Sequence, residues 1–540
     1  MDAELAAGCR LYFDSRGSAG KEDRRTAASQ SPVGFPDIDI THLHYDSRKI
    51  APGGLFVAIQ GFAVDGHDYV QDAVQRGAVA VVTQKPVACR SLCIEVPDTR
   101  KVLAVLSDSF YGHPSGRVHI IGITGTNGKT TTAYLVEAIL AAAGKKVGVI
   151  GTVNYRYGGK SFTNPITTPE SLDLQRILAE MVSNAVTHVV MEVSSHAVDL
   201  FRIHRCEILT GVFTNLTQDH LDYHGSMEKY WACKKRFFTR HIPMENRQSK
   251  AAAVVNIDDE RGKEIIDAVP YPCITVGSSP KSMVRPTDTA IDLTGIRGRL
   301  KTPHGDIAFV SRLIGAYNLE NILCAAGVAV ALDLPLNTIR TGIEKTKAIP
   351  GRLEQVGNGS QKSVYVDFAH TPDALKNVLT ALKCLNPRRM ICVFGCGGDR
   401  DKAKRPLMGE IAGSLCDLVV VTSDNPRTEA PEDIVSQILA GVERTCPHEY
   451  RLKDIQQGFR RKGHIAEPDR RHAIGIGIAA ADPGDIVLIA GKGHETYQII
   501  GHRRLPFDDR TTARSILAGK SSELLENTNA ADTLQGDRES

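Results

Sequence analysis

The stretch Ile120-Ile121-Gly122-Ile123-Thr124-Gly125-Thr126-Asn127-Gly128-Lys129-Thr130-Thr131-Thr132 decides how this 540-residue chain is read. It begins as an apolar run of strand length, passes through a glycine turn and opens an alanine-rich helix reaching about residue 143. A strand that delivers a glycine turn onto a helix start aims backbone N–H groups and the positive end of the helix dipole at one place. That place suits phosphate. Gly125, Thr126, Asn127, Gly128, Lys129, Thr130 and Thr131 are the expected nucleotide contacts, with Lys129 reaching the β/γ oxygens and the Thr130 hydroxyl binding Mg²⁺. The strict motif asks for glycine five residues before Gly128, where this chain has Ile123. The strand–turn–helix context carries the assignment despite that departure.

Outward from this loop the chain alternates strands and helices. Downstream apolar runs at 146–150, 188–193, 212–214 and 251–256 predict a doubly wound, mostly parallel sheet over 116–348. Upstream, short runs at 55–59, 78–82 and 92–96, with helical patterns at 69–76 and 100–111, predict a small α/β domain over 38–115. Gly112-His113-Pro114-Ser115-Gly116 marks its end, since Gly and Pro interrupt both periodicities. After Ile349-Pro350-Gly351-Arg352, strands at 364–368, 390–394, 418–421 and 485–490 predict a Rossmann-like unit over 349–520. Residues 1–37 read as an irregular extension and 521–540 as a disordered tail.

Composition excludes several classes. Lys plus Arg number 65 against 62 for Asp plus Glu, a formal charge of +3, too even to argue for a nucleic-acid or membrane partner. The twelve cysteines lack zinc-finger spacing and lie mostly in apolar runs such as Met390-Ile391-Cys392-Val393-Phe394, which predicts buried, reduced thiols. No apolar stretch approaches the roughly 18–20 residues that span a bilayer. A cytoplasmic protein is expected.

The reaction must come from residues near the ends of the following strands, where open α/β sheets bind ligands. Glu192-Val193-Ser194-Ser195-His196 follows one strand, and Asn215-Leu216-Thr217-Gln218-Asp219-His220-Leu221-Asp222-Tyr223-His224 the next. With them stand Tyr45-Asp46-Ser47-Arg48, Gly54-Leu55-Phe56-Val57-Ala58, Thr167-Thr168-Pro169-Glu170 and Gly315-Ala316-Tyr317-Asn318-Leu319-Glu320-Asn321. The last region adds Asp367-Phe368-Ala369-His370-Thr371-Pro372, Gly398-Asp399-Arg400, Asp424-Asn425-Pro426-Arg427 and Gly491-Lys492-Gly493-His494-Glu495. In this order, over about residues 42–515, the chain resembles the Mur ligase family of ATP-dependent amino-acid ligases of peptidoglycan synthesis.

The resemblance implies three α/β domains: a UDP-binding domain, a central ATPase-like doubly wound sheet and a C-terminal amino-acid-binding domain. It also implies a reaction. The D-glutamate carboxylate of UDP-N-acetylmuramoyl-L-alanyl-D-glutamate takes the ATP γ-phosphoryl group, and an incoming amine displaces phosphate from the acyl phosphate. Such transfer needs charge neutralisation and alignment. Lys129, Glu192, His220 and Lys234 are the implied catalytic group. Asn318, Asn321, Arg352 and Asp367 join the phosphate loop around ATP. Thr130 and Glu192 are the implied ligands of one Mg²⁺ and His220 of a second, and Lys234 is implied as a ligand in its carbamate form, since a bare ammonium would repel the cation. Lys235 is adjacent, and the spacing from His220 and Tyr223 favours Lys234.

For the UDP-muramoyl dipeptide the resemblance implies Tyr45, Ser47, Phe62, Ala63, Val64, Thr167, Thr168, Ser194, Leu200 and Arg202. Leu200 stands where many relatives have Gln, which removes one polar contact. For the acceptor it implies Arg400, Asp424, Asn425, Pro426, Arg427, Gly491 and Glu495. The candidates are meso-diaminopimelate and L-lysine, and only the former carries a far carboxylate. Arg427 offers a planar fork for it, so meso-diaminopimelate is expected. The rivals are a folylpolyglutamate synthetase-like ligase, and a nucleotide-switched binding protein that catalyses nothing. A monomer without nucleic-acid partners is expected.

Overall fold

In the computed structural model, which describes residues 10–12, 38–61, 64–242, 251–292, 294–357, 362–455 and 458–519, three α/β regions follow one another along the chain. The chain divides into two compact units, one of 1–122, 146–210 and 236–251, the other of 123–145, 211–235 and 252–540. The division passes through two strands of the central sheet, His119–Thr124 and Ile208–Phe213.

The first region is a sheet in the order Arg10–Tyr12, Leu92–Glu95, Ala78–Thr83, Gly54–Val57, His42–His44. Its pairs are parallel except the first, so Arg10–Tyr12 is a strand within the stretch 1–37 read as an irregular extension. The free edge of Leu92–Glu95 offers unpaired backbone groups, and a short antiparallel segment satisfies them. The rest of 1–37, and the tail 521–540, lie outside the described residues.

The central sheet has eight strands, with His119–Thr124 between Ile208–Phe213 and His188–Glu192. Strand Ile208–Phe213 starts four residues earlier than the sequence suggests, because Ile208, Leu209 and Thr210 are also buried. At one edge Tyr155–Tyr157 and Lys160–Phe162 form an antiparallel hairpin that the parallel reading omits. A separate antiparallel sheet, Arg285–Asp292, Gly295–Thr302 and Gly305–Ser311, also stands outside the parallel pattern.

The last sheet runs Glu354–Val356, Ser363–Asp367, Ile486–Ala490, Met390–Phe394, Leu418–Val421, Gly463–Ala466. All its pairs are parallel but the first. Ile486–Ala490 comes late in sequence yet lies between the first two parallel strands, so the order of strands across the sheet breaks there from their order along the chain. Such a switch point leaves a crevice at the carboxyl ends of the strands. Asp367, Gly395, Asp424 and Gly491 all fall at those ends. Both faces carry buried apolar side chains, including Val366, Ile391 and Leu488, as a parallel sheet covered by helices requires.

Candidate active site

The phosphate loop leaves strand His119–Thr124 and enters helix Lys129–Ala142. Gly125 has φ +149° and Gly128, the helix N-cap, φ +86°, conformations that disfavour side chains. A Cβ on Gly125 would run into Thr214 Oγ1, and one on Gly128 into Asn321 Oδ1. The loop is therefore packed down to its backbone. Asn215 orders it: its carbonyl accepts from Thr126 N at 2.9 Å and its Oδ1 from Asn127 N at 2.9 Å. Thr214 Oγ1 donates to Asn127 O at 2.6 Å, and Asn127 Nδ2 to Asp373 Oδ2 at 2.9 Å.

Lys129 Nζ donates to the Gly125 and Thr126 carbonyls at 2.9 and 2.8 Å, so its charge sits over the loop. Arg352 Nη2 donates to Thr130 Oγ1 at 3.1 Å, and its guanidinium lies 4.5 Å from the Phe368 ring centroid. Asn321 Nδ2 donates to Asn318 Oδ1 at 3.1 Å, and Thr132 Oγ1 to Asn321 Oδ1 at 3.3 Å. Asp367 accepts from Leu353 N at 2.6 Å and Ala369 N at 2.7 Å, and burial still raises its carboxyl above the usual range.

Lys234, on helix Met227–Arg240, is 1% exposed, and its Nζ donates to Gly125 O at 2.8 Å. Burial, then the charge of Lys129, holds its amine well below the ordinary lysine range. Lys235 instead lies 3.8 Å from Glu264 on a half-exposed surface. His220 has φ +54°, and its Nε2 lies 3.3 Å from Asp219 Oδ2. Burial outweighs Asp219 and pushes the imidazole down to about 4, so it is neutral at pH 7.

In the other unit Glu192 closes strand His188–Glu192 and is 2% exposed. It accepts from Thr152 N and Oγ1, each at 2.9 Å. Thr168 Oγ1 donates to Glu192 O at 2.8 Å, and Ser194 caps the helix Ser195–Asp199 by accepting from Ala197 N. Thr167 Oγ1 is 3.1 Å from Thr152 Oγ1. Arg202 Nη1 donates to Thr168 O at 3.3 Å, and Nε is 3.5 Å from Glu170 Oε2, which also pairs with Arg100 at 2.8 Å. Tyr45 donates to Asp173 Oδ2 at 2.6 Å. Ser47 is buried, Leu200 ends the helix Ser195–Asp199 and Val64 is exposed, whereas Phe62 and Ala63 lie outside the described residues.

The third constellation stands at the switch point. Lys492, with no exposed surface, reaches Asn425 Oδ1 and Glu495 Oε2 at 3.0 Å each and Asp424 Oδ1 at 3.4 Å. Burial favours the protonated Asp424 carboxyl, but Lys492 and Arg470 hold it below the usual range. Asn425 Nδ2 donates to Glu495 Oε2 at 2.9 Å, and Gly491 has φ +115° beside Asp424. Arg427 follows Pro426, with φ +53° and Nη1 donating to the Gly398 and Asn425 carbonyls at 2.7 and 3.5 Å. Among the described residues no carboxylate bonds to it. Arg400 is exposed and Nη1 donates to Asp399 O at 2.9 Å. Motif reading alone assigns Lys492 no role, although a lysine between two glycines at a strand end is a signal of one. Asn215 and Asp373 gave no such signal, because their partners are remote in sequence.

The fold and these groups define an α/β nucleotide-binding protein with a phosphate loop and a separate crevice lined by arginines and carboxylates. The chain belongs to the Mur ligase family: its middle-domain model matches residues 123–329, its glutamate ligase domain 351–493 and its family catalytic domain 39–111. The chain is 47% identical, over 90% of its length and 96% of the relative's, to a UDP-N-acetylmuramoyl-L-alanyl-D-glutamate--2,6-diaminopimelate ligase of Geobacter metallireducens. One from Geobacillus kaustophilus is 44% identical over 88% and 94%. A solved structure of a ligase of that name superposes with a TM-score of 0.61 at 31% identity, covering 89% of this chain and 95% of that one. A folylpolyglutamate synthase of Mycobacterium tuberculosis, at 19% identity and TM-score 0.57, shares the fold alone, over 72% of this chain and 92% of that one.

Proposed function

We propose that the chain is the ATP-dependent ligase that joins meso-diaminopimelate to UDP-N-acetylmuramoyl-L-alanyl-D-glutamate, releasing ADP and phosphate. The observation that carries the acceptor is Arg427: half-buried at the switch point, its guanidinium bonds only to backbone carbonyls among the described residues. A planar fork so placed suits a carboxylate, and L-lysine has none at its far end. Burial and the neighbouring Arg400 disfavour its charge, which an incoming carboxylate would relieve. Glu495, Gly491 and Arg400 are read as holding the acceptor's other carboxylate and amino groups. Asp424 and Asn425, which together with Glu495 surround Lys492, are read as further acceptor contacts beside Pro426.

In the ATP half, Lys129 neutralises the phosphates, and Asn318, Asn321, Arg352 and Asp367 bound the nucleotide. The donors read for Mg²⁺ fit a hard cation: the Thr130 hydroxyl, the Glu192 carboxylate, the neutral His220 and Lys234 once carbamylated. Among the described residues no group of three His, Cys, Asp or Glu side chains could hold a metal. Bound there, Mg²⁺ supplies charge neutralisation for phosphoryl transfer. The lowered basicity of Lys234 supports carbamylation, since the neutral amine is the form that reacts with CO₂. Tyr45, Ser47, Val64, Thr167, Thr168, Ser194 and Arg202 are read as serving the UDP-muramoyl dipeptide. The reading includes a cytoplasmic location, where ATP is supplied; no helix among the described residues is long and apolar enough to cross a membrane.

An acceptor screen tests this. ADP release with the UDP-muramoyl dipeptide should require meso-diaminopimelate, and Arg427→Ala should lose most of the preference over L-lysine. Equal use of both amines by the unmodified enzyme refutes the assignment.

A further inference from the structure

Arg400 and Arg427 stand on different loops, one after strand Met390–Phe394 and one after strand Leu418–Val421. The two loops are clasped beside them. Thr428 Oγ1 donates to Asp399 Oδ1 at 2.7 Å, and Thr428 N to Asp399 Oδ2 at 3.3 Å. Asp399 N donates back to Glu429 Oε1 at 2.6 Å. Beneath, the fully buried Arg405 holds both Glu429 oxygens at 2.9 Å and the Gly397 carbonyl at 3.0 Å. The packing leaves no slack, because a Cβ on Gly398 would run into Pro426 O. A Cβ on Gly397 would lie 3.0 Å from Arg427 Nη1 and 3.7 Å from Arg400 Cγ, so the glycine sits between the two arginines.

We propose that the Asp399–Thr428 clasp is a specificity-determining device that fixes the spacing of the Arg400 and Arg427 forks to the distance between the two carboxylates of a diamino dicarboxylic acid. Asp399 and Thr428 are positioning residues, acting on the acceptor only through the two arginines. The inference rests on the reading of those arginines as acceptor-carboxylate ligands. An acceptor with two carboxylates senses the spacing; one with a single carboxylate engages one fork and does not.

The test measures kcat and KM for meso-diaminopimelate, L-lysine, ATP and the UDP-muramoyl dipeptide in the unmodified enzyme, Thr428→Val and Thr428→Ser. Thr428 is exposed, so both variants should fold, with melting temperatures close to the parent's. Thr428→Val removes the hydroxyl donor and should raise KM for meso-diaminopimelate about tenfold, as loss of a hydrogen bond to a charged group does. Its KM values for the nucleotide and the dipeptide, and its kcat, should stay within about twofold, the scale of a neutral surface change. Thr428→Ser keeps the donor and should match the parent. An unchanged KM for meso-diaminopimelate in the valine variant overturns the clasp, as does equal loss for ATP or equal impairment of the serine variant. If the parent itself does not prefer meso-diaminopimelate, the acceptor reading fails instead.

Discussion

Lys235 reaches outward to Glu264, while its neighbour Lys234 turns inward to the Gly125 carbonyl and is shut off from water. Consecutive helix positions point about 100° apart, so one of any such pair is turned away from the loop. Lys234→Ala should lose activity and regain part of it when short carboxylates are added, because these can replace a carbamate oxygen. Lys235→Ala should remain active. Full activity of Lys234→Ala without additive, in the ADP-release assay, would show that no carbamate is needed there. Lys129→Ala should lower ADP formation by at least about a hundredfold, the usual consequence of removing one preorganised charge from a transition state. Its affinity for the UDP-muramoyl dipeptide, read by titration calorimetry, should be nearly unchanged.

At the scale of elements, the phosphate loop and helix Ala316–Ala331 are fitted to each other through Gly128 and Asn321. Gly128→Ala combines a left-handed backbone, which costs a non-glycine residue about 1–2 kcal/mol, with a collision against Asn321 Oδ1. ATP binding in that variant should weaken by at least about tenfold, as loss of 1.4 kcal/mol implies. The same helix carries Glu320, whose carboxyl is pushed up to about 7 by burial first, then by Asp258, Asp373 and Asp259. A carboxyl whose folded value lies above its unfolded one favours the folded state fully at pH below the ordinary 4.5, and that contribution is lost as pH rises through about 7. Glu320→Gln should therefore raise the melting temperature relative to the parent at pH 8 more than at pH 4.5. A constant difference across that range would contradict the assigned burial effect.

Across the molecule, remote segments are joined by a few buried polar pairs. Arg470 and Asp509, both fully buried, pair at 2.6 Å and tie helix Arg470–Ala480 to helix Asp509–Leu517. Arg470 also donates to the Ser423 and Ala490 carbonyls at 3.2 and 3.0 Å, just before Asp424 and Gly491. Arg470→Met leaves Asp509 charged and unpaired, which should destabilise the unit containing it by about 3–5 kcal/mol in urea unfolding. Arg470→Met with Asp509→Leu should recover much of that loss, because replacing both partners removes the stranded charge. No recovery in the double variant would assign the loss to the carbonyl contacts instead.

Local features are legible in the order of residues. The strand, glycine turn and helix of 120–132, the apolar runs of the parallel strands and the order of the motifs are written in neighbouring residues, and periodicity or backbone sterics suffice to read them. The cysteine pattern was equally legible: the eleven cysteines among the described residues are free, and nine of them are buried. The antiparallel sheet of 285–311 escaped notice because its strands are only partly covered and their apolar pattern is diluted by exposed charge. Which strand lies beside which is settled by packing in three dimensions, and with it that Ile486–Ala490 brings Lys492 onto Asp424 across 68 residues of sequence. Packing also decides that Lys234 is the buried lysine and that Arg427 meets backbone rather than a carboxylate. The physical reason is that burial and pairing depend on distances between segments far apart in the chain, which no local pattern encodes.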